Sequence, residues 1–138
     1  AVMPFADNGV KLYGNAIIAS AKLVRENPDA VRAFLKAFTK GAKEVMANPG
    51  AAIAHVKERD GIVNTALETR RLQLAIDTVI NTADARAEGF GQVSPTRMAL
   101  MASQVSDVYA TKTRVNPEGV WSGKFLPPAA ELDVLPKK

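Results

Sequence analysis

The chain has no cysteine and a single histidine, His55, in 138 residues. Without cysteine there are no disulfides, thiolate metal ligands or cysteine nucleophiles, and one histidine argues against a transition-metal site. That leaves the compartment open, although it is compatible with an oxidising periplasm. No apolar run approaches the ~20 residues that cross a bilayer. The opening AVMPFADNG has neither a basic n-region nor an apolar h-region, so it does not read as a signal peptide. Cations are not concentrated either. The net charge is +4, but Lys22 and Arg25 precede Glu26, Lys43 precedes Glu44 and Lys57 precedes Glu58. No cluster of four forms, and Lys137-Lys138 reads as a solvated tail, so nucleic-acid binding is not expected.

What is present suffices for one domain: 47% hydrophobic and 23% charged residues argue for a folded chain rather than disorder. Asparagine before proline at Asn27-Pro28 is a helix-opening device, because asparagine caps and proline loses only an orphaned donor. Val31, Phe34, Leu35, Phe38, Ala42, Val45 and Met46 then fall on one helical stripe. Gly41 lies near that stripe and would permit a close approach. Asn48-Pro49 repeats the device and starts a second helix running to about Arg59. After the Asp60-Gly61 turn, a third helix is expected from Asn64 or Thr65 to Ile80. Residues 81–93 read as loop, and Ser94-Pro95 opens a fourth helix with Met98, Met101, Ala102, Val105, Val108 and Tyr109 on its stripe. Beyond Thr111 the chain reads as irregular, with one helical turn at most after Ala129.

The N-terminal end reads differently. Residues 16–19 (AIIA) form a short apolar run between Gly14-Asn15 and Ser20, the pattern of a buried strand. Residues 2–5 offer a second short strand. A strand needs neighbours for its backbone, and few candidates exist elsewhere. The chain is therefore expected to be a piece of a larger fold, with both of its ends made to dock on something.

Few residues suggest chemistry. His55 reads as a helix-surface residue. Asp60, Asp84, Glu58 and Glu88 sit at turns or helix ends, and no carboxylate pair has acid/base spacing. Gly89-Phe90-Gly91 lacks the GK[ST] ending and preceding strand of a phosphate loop. Ser94 reads as a cap, Met98 and Met101 as packing, and Trp121 as an anchor for the tail or a stacking surface. No catalytic residue, metal or cofactor is expected. The polar turn before the strand stands apart: Asp7, Asn8, Tyr13 and Asn15 crowd around Gly9 and Gly14. They read either as an ordinary turn bonding its own backbone or as ligand contacts.

Residues 9–53 (GVKLYGNAIIASAKLVRENPDAVRAFLKAFTKGAKEVMANPGAAI) resemble the C-terminal half of ABC-transporter substrate-binding proteins of the nitrate/sulfonate/taurine and thiamine-pyrimidine-precursor class. The resemblance rests on the order YGN, AIIAS, ENP, VRAFLKAFTKG and NP-x-x-AI. A later GFG-x-V-x-x-x-R-M (Gly89 to Met98) and Phe125-Leu126-Pro127 extend it over almost the whole chain. It implies an α-rich piece of an α/β fold, the C-terminal part of a type II periplasmic-binding-protein fold. About four helices and one or two short N-terminal strands are expected. Residues 1–20 would be the crossover or hinge strand segment, and residues 21–138 the C-terminal helical part of the first lobe. The implied activity is solute binding without catalysis, periplasmic or lipid-anchored on the extracytoplasmic side. The implied partners are a small solute, an ABC permease and the N-terminal part of the same receptor. Self-association through the unpaired strand is a further expectation. Ligand contacts are expected at Asp7, Tyr13 and Asn15, with Asn8 second. A eukaryotic branch that makes the thiamine pyrimidine uses its own histidine and a cysteine-rich motif; this chain has no cysteine, and its one histidine lies outside any such motif. A self-contained helical interaction domain remains the alternative.

Overall fold

The computed structural model describes residues 3–10 and 12–136. The expected strand over residues 2–5 therefore begins outside the described residues, as does the Lys137-Lys138 tail. Among the described residues six α-helices follow one another: α1 Ala21–Glu26, α2 Pro28–Ala47, α3 Pro49–Arg59, α4 Thr65–Ala75, α5 Ala83–Glu88 and α6 Pro95–Val108. Helix α4 continues into a π-helical turn, Ile76–Ile80. The 3-10 turns Ala6–Asn8, Pro117–Gly119 and Ala129–Glu131 punctuate the irregular segments.

One local device starts every α-helix. A side-chain oxygen at the N-cap accepts the backbone N–H three residues on: Ser20 from Leu23, Asn27 from Ala30 and Asn48 from Ala51. Asn64, Thr82 and Ser94 do the same for α4, α5 and α6. Each satisfies one of the donors that a helix start leaves unpaired. In α2, α3 and α6 proline occupies the first turn, as its sequence position predicts. Helices α1 and α5 were not anticipated. Residues 81–93 were expected as loop, but Thr82 caps a six-residue helix there before Gly89 ends it with φ of 100°.

The core is small. Met46 of α2, Ile76 of the π turn and Val134 of the C-terminal tail form its centre, with Ala42, Leu72, Ile80, Phe90 and Leu135 against them. The C-terminal end was expected to dock on something, with no regular partner of its own, and the structure supplies that partner from within the chain. Leu132 and Val134 are buried, and the Leu132 carbonyl accepts the Phe90 N–H at 3.4 Å. Lys36 reaches Glu131 at 3.3 Å, and Arg86 donates to the Pro136 carbonyl at 3.3 Å. The tail's partner is the chain's own helical body. Ser106 secures the segment leading to it: the buried hydroxyl donates to the Ala102 carbonyl at 2.8 Å and accepts the Val115 N–H at 3.0 Å.

The AIIA run is the second correction. Residues 14–19 form no strand, and Ile18 is 91% exposed. Among the described residues no strand exists to pair with them, and residues 14–19 are all exposed. The helices are also loosely gathered. The chain exposes 10,392 Å², against about 6,900 Å² for a compact monomer of its mass. The stripe of α2 shows where the surplus lies. Val31 and Met46 are buried, but Phe34 and Phe38, expected to face inward with them, are exposed. Among the described residues, no helix is long and apolar enough to cross a membrane.

Candidate functional site

The four candidate residues lie on a short segment that folds on itself before it meets the body. Ala6–Asn8 is a single 3-10 turn, closed by Gly9 at φ of 87°, a left-handed conformation that glycine adopts without strain. Asn8 donates its side-chain amide to the Pro4 carbonyl at 2.9 Å, so it stabilises its own turn. Asp7 is exposed in that turn, and Asn15 is exposed at the start of the extended run.

Tyr13 is the exception. Its phenol oxygen accepts the Ser94 N–H at 2.7 Å, across 81 positions of sequence. The Arg97 guanidinium lies 4.4 Å from the centre of the Tyr13 ring, a cation–π arrangement. Arg97 also donates to the Leu12 carbonyl at 2.8 Å and to the Asp84 carboxylate at 3.0 Å. Three elements thus converge on one cation: the N-terminal segment through Leu12 and Tyr13, α5 through Asp84, and α6 through Arg97 itself. Ser94 holds α6 at both levels. Its hydroxyl accepts the Arg97 N–H at 3.4 Å, while its own N–H goes to Tyr13. The planar five-donor fork of arginine suits this task, since two N–H directions serve two acceptors while the flat face covers a ring.

The structure therefore separates the candidates. It brings Tyr13 into contact with the body and leaves Asp7, Asn8 and Asn15 on the surface. None of the four lines either of two open depressions. One lies between α3 and α4, at Gly50, Ala54, Thr65, Ala66 and Thr69. The other lies between α5 and the tail, at residues including Ala85, Arg86, Leu132 and Asp133. Arg97 and Asp84 were not anticipated as partners of Tyr13. Arg97 stood in the GFG-x-V-x-x-x-R-M pattern but carried no assigned role, and Asp84 read as an ordinary loop carboxylate.

The remaining residues singled out by the sequence fall on bland positions. His55 is exposed on α3, with Nδ1 3.5 Å from the Glu58 carboxylate. Asp60 closes its turn by accepting the Ile62 N–H at 3.2 Å. Met98 is buried on α6. Trp121 folds its ring over Gly123, where an added Cβ would sit 2.5 Å from the indole, so glycine makes room for the ring.

Residues 1–52 match the model of a family described as NMT1/THI5 like, a substrate-binding class. The matched part holds the polar turn, the extended run, α1, α2 and the start of α3, and thus all four candidate residues. No curated protein and no solved structure matches the chain.

Proposed function

We propose that this chain is part of the solute-binding component of an ABC importer of the nitrate/sulfonate/taurine or pyrimidine-precursor type. It would act outside the cytoplasm, without catalysis, and deliver a small solute to a membrane permease. The supporting observation is the family match over residues 1–52, which falls on the segment where ligand contacts were expected. The exposed extended run supports it too. An uncharged strand-forming sequence with unpaired backbone is what a two-lobed α/β receptor would take into its sheet. Within this reading the polar turn divides by role: Asp7 and Asn15 face solvent and are open to a solute, Asn8 shapes the turn, and Tyr13 anchors it.

The test is a thermal-shift screen of the protein expressed from its complete reading frame, against nitrate, alkyl sulfonates, carboxylates and pyrimidines. A cognate solute at a hundredfold its Kd stabilises the folded state by about 2.7 kcal/mol. Silence across the whole panel would sink the proposal. A self-contained helical interaction domain is the second reading. It is favoured by an aromatic row in which the exposed Phe34 and Phe38 stack at 6.4 Å and Phe38 meets the half-buried Phe90 at 6.5 Å. A monomeric chain that melts sharply would support that alternative instead.

A further inference from the structure

We infer that the Arg97 cluster is a latch, and that the segment before α1 has two positions, docked on α6 and released. The first observation is where the attachment lies. Of the described residues from 3 to 20, only Tyr13 is even half-buried, and the rest are exposed. Among the described residues, the hydrogen bonds of residues 3–10 stay within their own turn: Asn8 N–H to Phe5, Gly9 to Ala6, Val10 to Phe5 and the Asn8 amide to Pro4. Residues 14–19 form none among the described residues. Gly14, next to the attachment, has nothing within 4 Å of where a side chain would start. Among the described residues, the segment is therefore held at Leu12 and Tyr13.

The second observation is the kind of contact made there. Among the described residues the ties include a carbonyl accepting from Arg97, a phenol accepting from Ser94, and a guanidinium resting on a ring. Val10 and Leu12 are each 39% exposed, so release uncovers part of their apolar surface along with the polar contacts, but it leaves the Met46–Ile76–Val134 core intact. Segments joined this way open at lower free energy than the body they rest on. The third observation is that the cluster has a fixed side. Asp84 holds the guanidinium from α5, and the Arg97 side chain is only 24% exposed. When the segment leaves, the cation stays oriented toward the vacated positions. Arg97 is a positioning residue for Tyr13, and through it for the polar turn and the extended run on either side.

Chymotrypsin under native conditions tests this, because the Tyr13–Gly14 bond is a substrate only when released. The bonds after Phe34 and Phe38, inside α2, report the body. With fast opening, cleavage follows the population of the open form. Arg97→Ala removes charged hydrogen bonds and should speed cleavage at Tyr13 by about tenfold or more. Cleavage at Phe34 and Phe38, and the helical circular dichroism, should stay at their original values. Arg97→Lys keeps the charge beside Asp84 but loses the fork and flat face, and should fall in between. Should Arg97→Ala fail to fold, Tyr13→Phe carries the test. It keeps the ring and the cleavage site, removes the acceptor for Ser94, and should give a severalfold rise. Unchanged cleavage at Tyr13 in these variants would overturn the latch. So would a rise matched at Phe34 and Phe38, which would make the cluster a prop of the whole body.

Discussion

The two ends of this chain carry similar raw material and meet opposite fates. Each has a short irregular stretch with bulky apolar side chains, AIIA at residues 16–19 and Leu-Asp-Val-Leu at residues 132–135. Leu132 is 2% exposed and Ile18 is 91% exposed. The tail succeeds because its polar backbone finds partners where its side chains find a hole. Leu132 pairs with Phe90, Pro136 with Arg86, and Val134 enters the space between Met46 and Ile76. A bare extended chain buries side chains only when its N–H and C=O groups are also satisfied. Helices have spent their own backbone groups internally, so they offer a tail a few loop donors and carbonyls but no ladder. The N-terminal run, strand-like throughout, needs a ladder and meets none. Apolarity alone does not decide which end docks.

Breaking the tail is the largest effect that this contrast predicts. Leu132→Ala should destabilise the chain by about 2–5 kcal/mol in a denaturant melt, because the side chain is fully enclosed. A change below about 0.5 kcal/mol would mean that the tail rests on the surface. Ser106→Ala comes next. It leaves the Val115 N–H without its acceptor where the chain turns toward the tail, at a cost of about 1–3 kcal/mol. Hydrogen exchange at Val115 should rise with it, and an unmoved Val115 would show another acceptor taking over. At the bottom are the matched surface changes. Ile18→Ser and Glu131→Ala should each shift stability by no more than about 0.5–1 kcal/mol. The Glu131 effect should fade in ~1 M salt, where screening shortens to about 3 Å. If Ile18→Ser instead cost as much as Leu132→Ala, the exposed run would have to be buried against something in solution. That result would point to a second copy, and the sedimentation of the two proteins would decide it.

Much of the helical pattern was legible in the residues, since each start is written locally. Asn27, Asn48 and Ser94 announced their helices by standing before proline, and Asn64 by standing before an apolar period. Ser20 and Thr82 cap just as effectively, but they open helices only six residues long. Without proline or a full amphipathic repeat, such starts look like turns. The site was less legible. Asn8 does what short polar turn residues do by themselves, which is why its neighbourhood stood out at all. Tyr13 gained its partners from Ser94 and Arg97, more than 80 positions away, and no spacing rule connects those residues.

The sequence by itself determined where helices begin, because an N-cap side chain and its target N–H are three residues apart and meet in any tertiary setting. It also set the limits on chemistry, since absent cysteine and a lone exposed histidine remove whole classes of site wherever the chain folds. Tertiary structure alone decided which apolar residues are core. Phe34 and Val31 share a stripe, yet only Val31 has a neighbour close enough to cover it. It alone decided, too, that Arg97 should join Leu12, Tyr13 and Asp84. Burial and long-range hydrogen bonds depend on which surfaces come within a few ångströms of one another, and that is a property of packing rather than of any one segment.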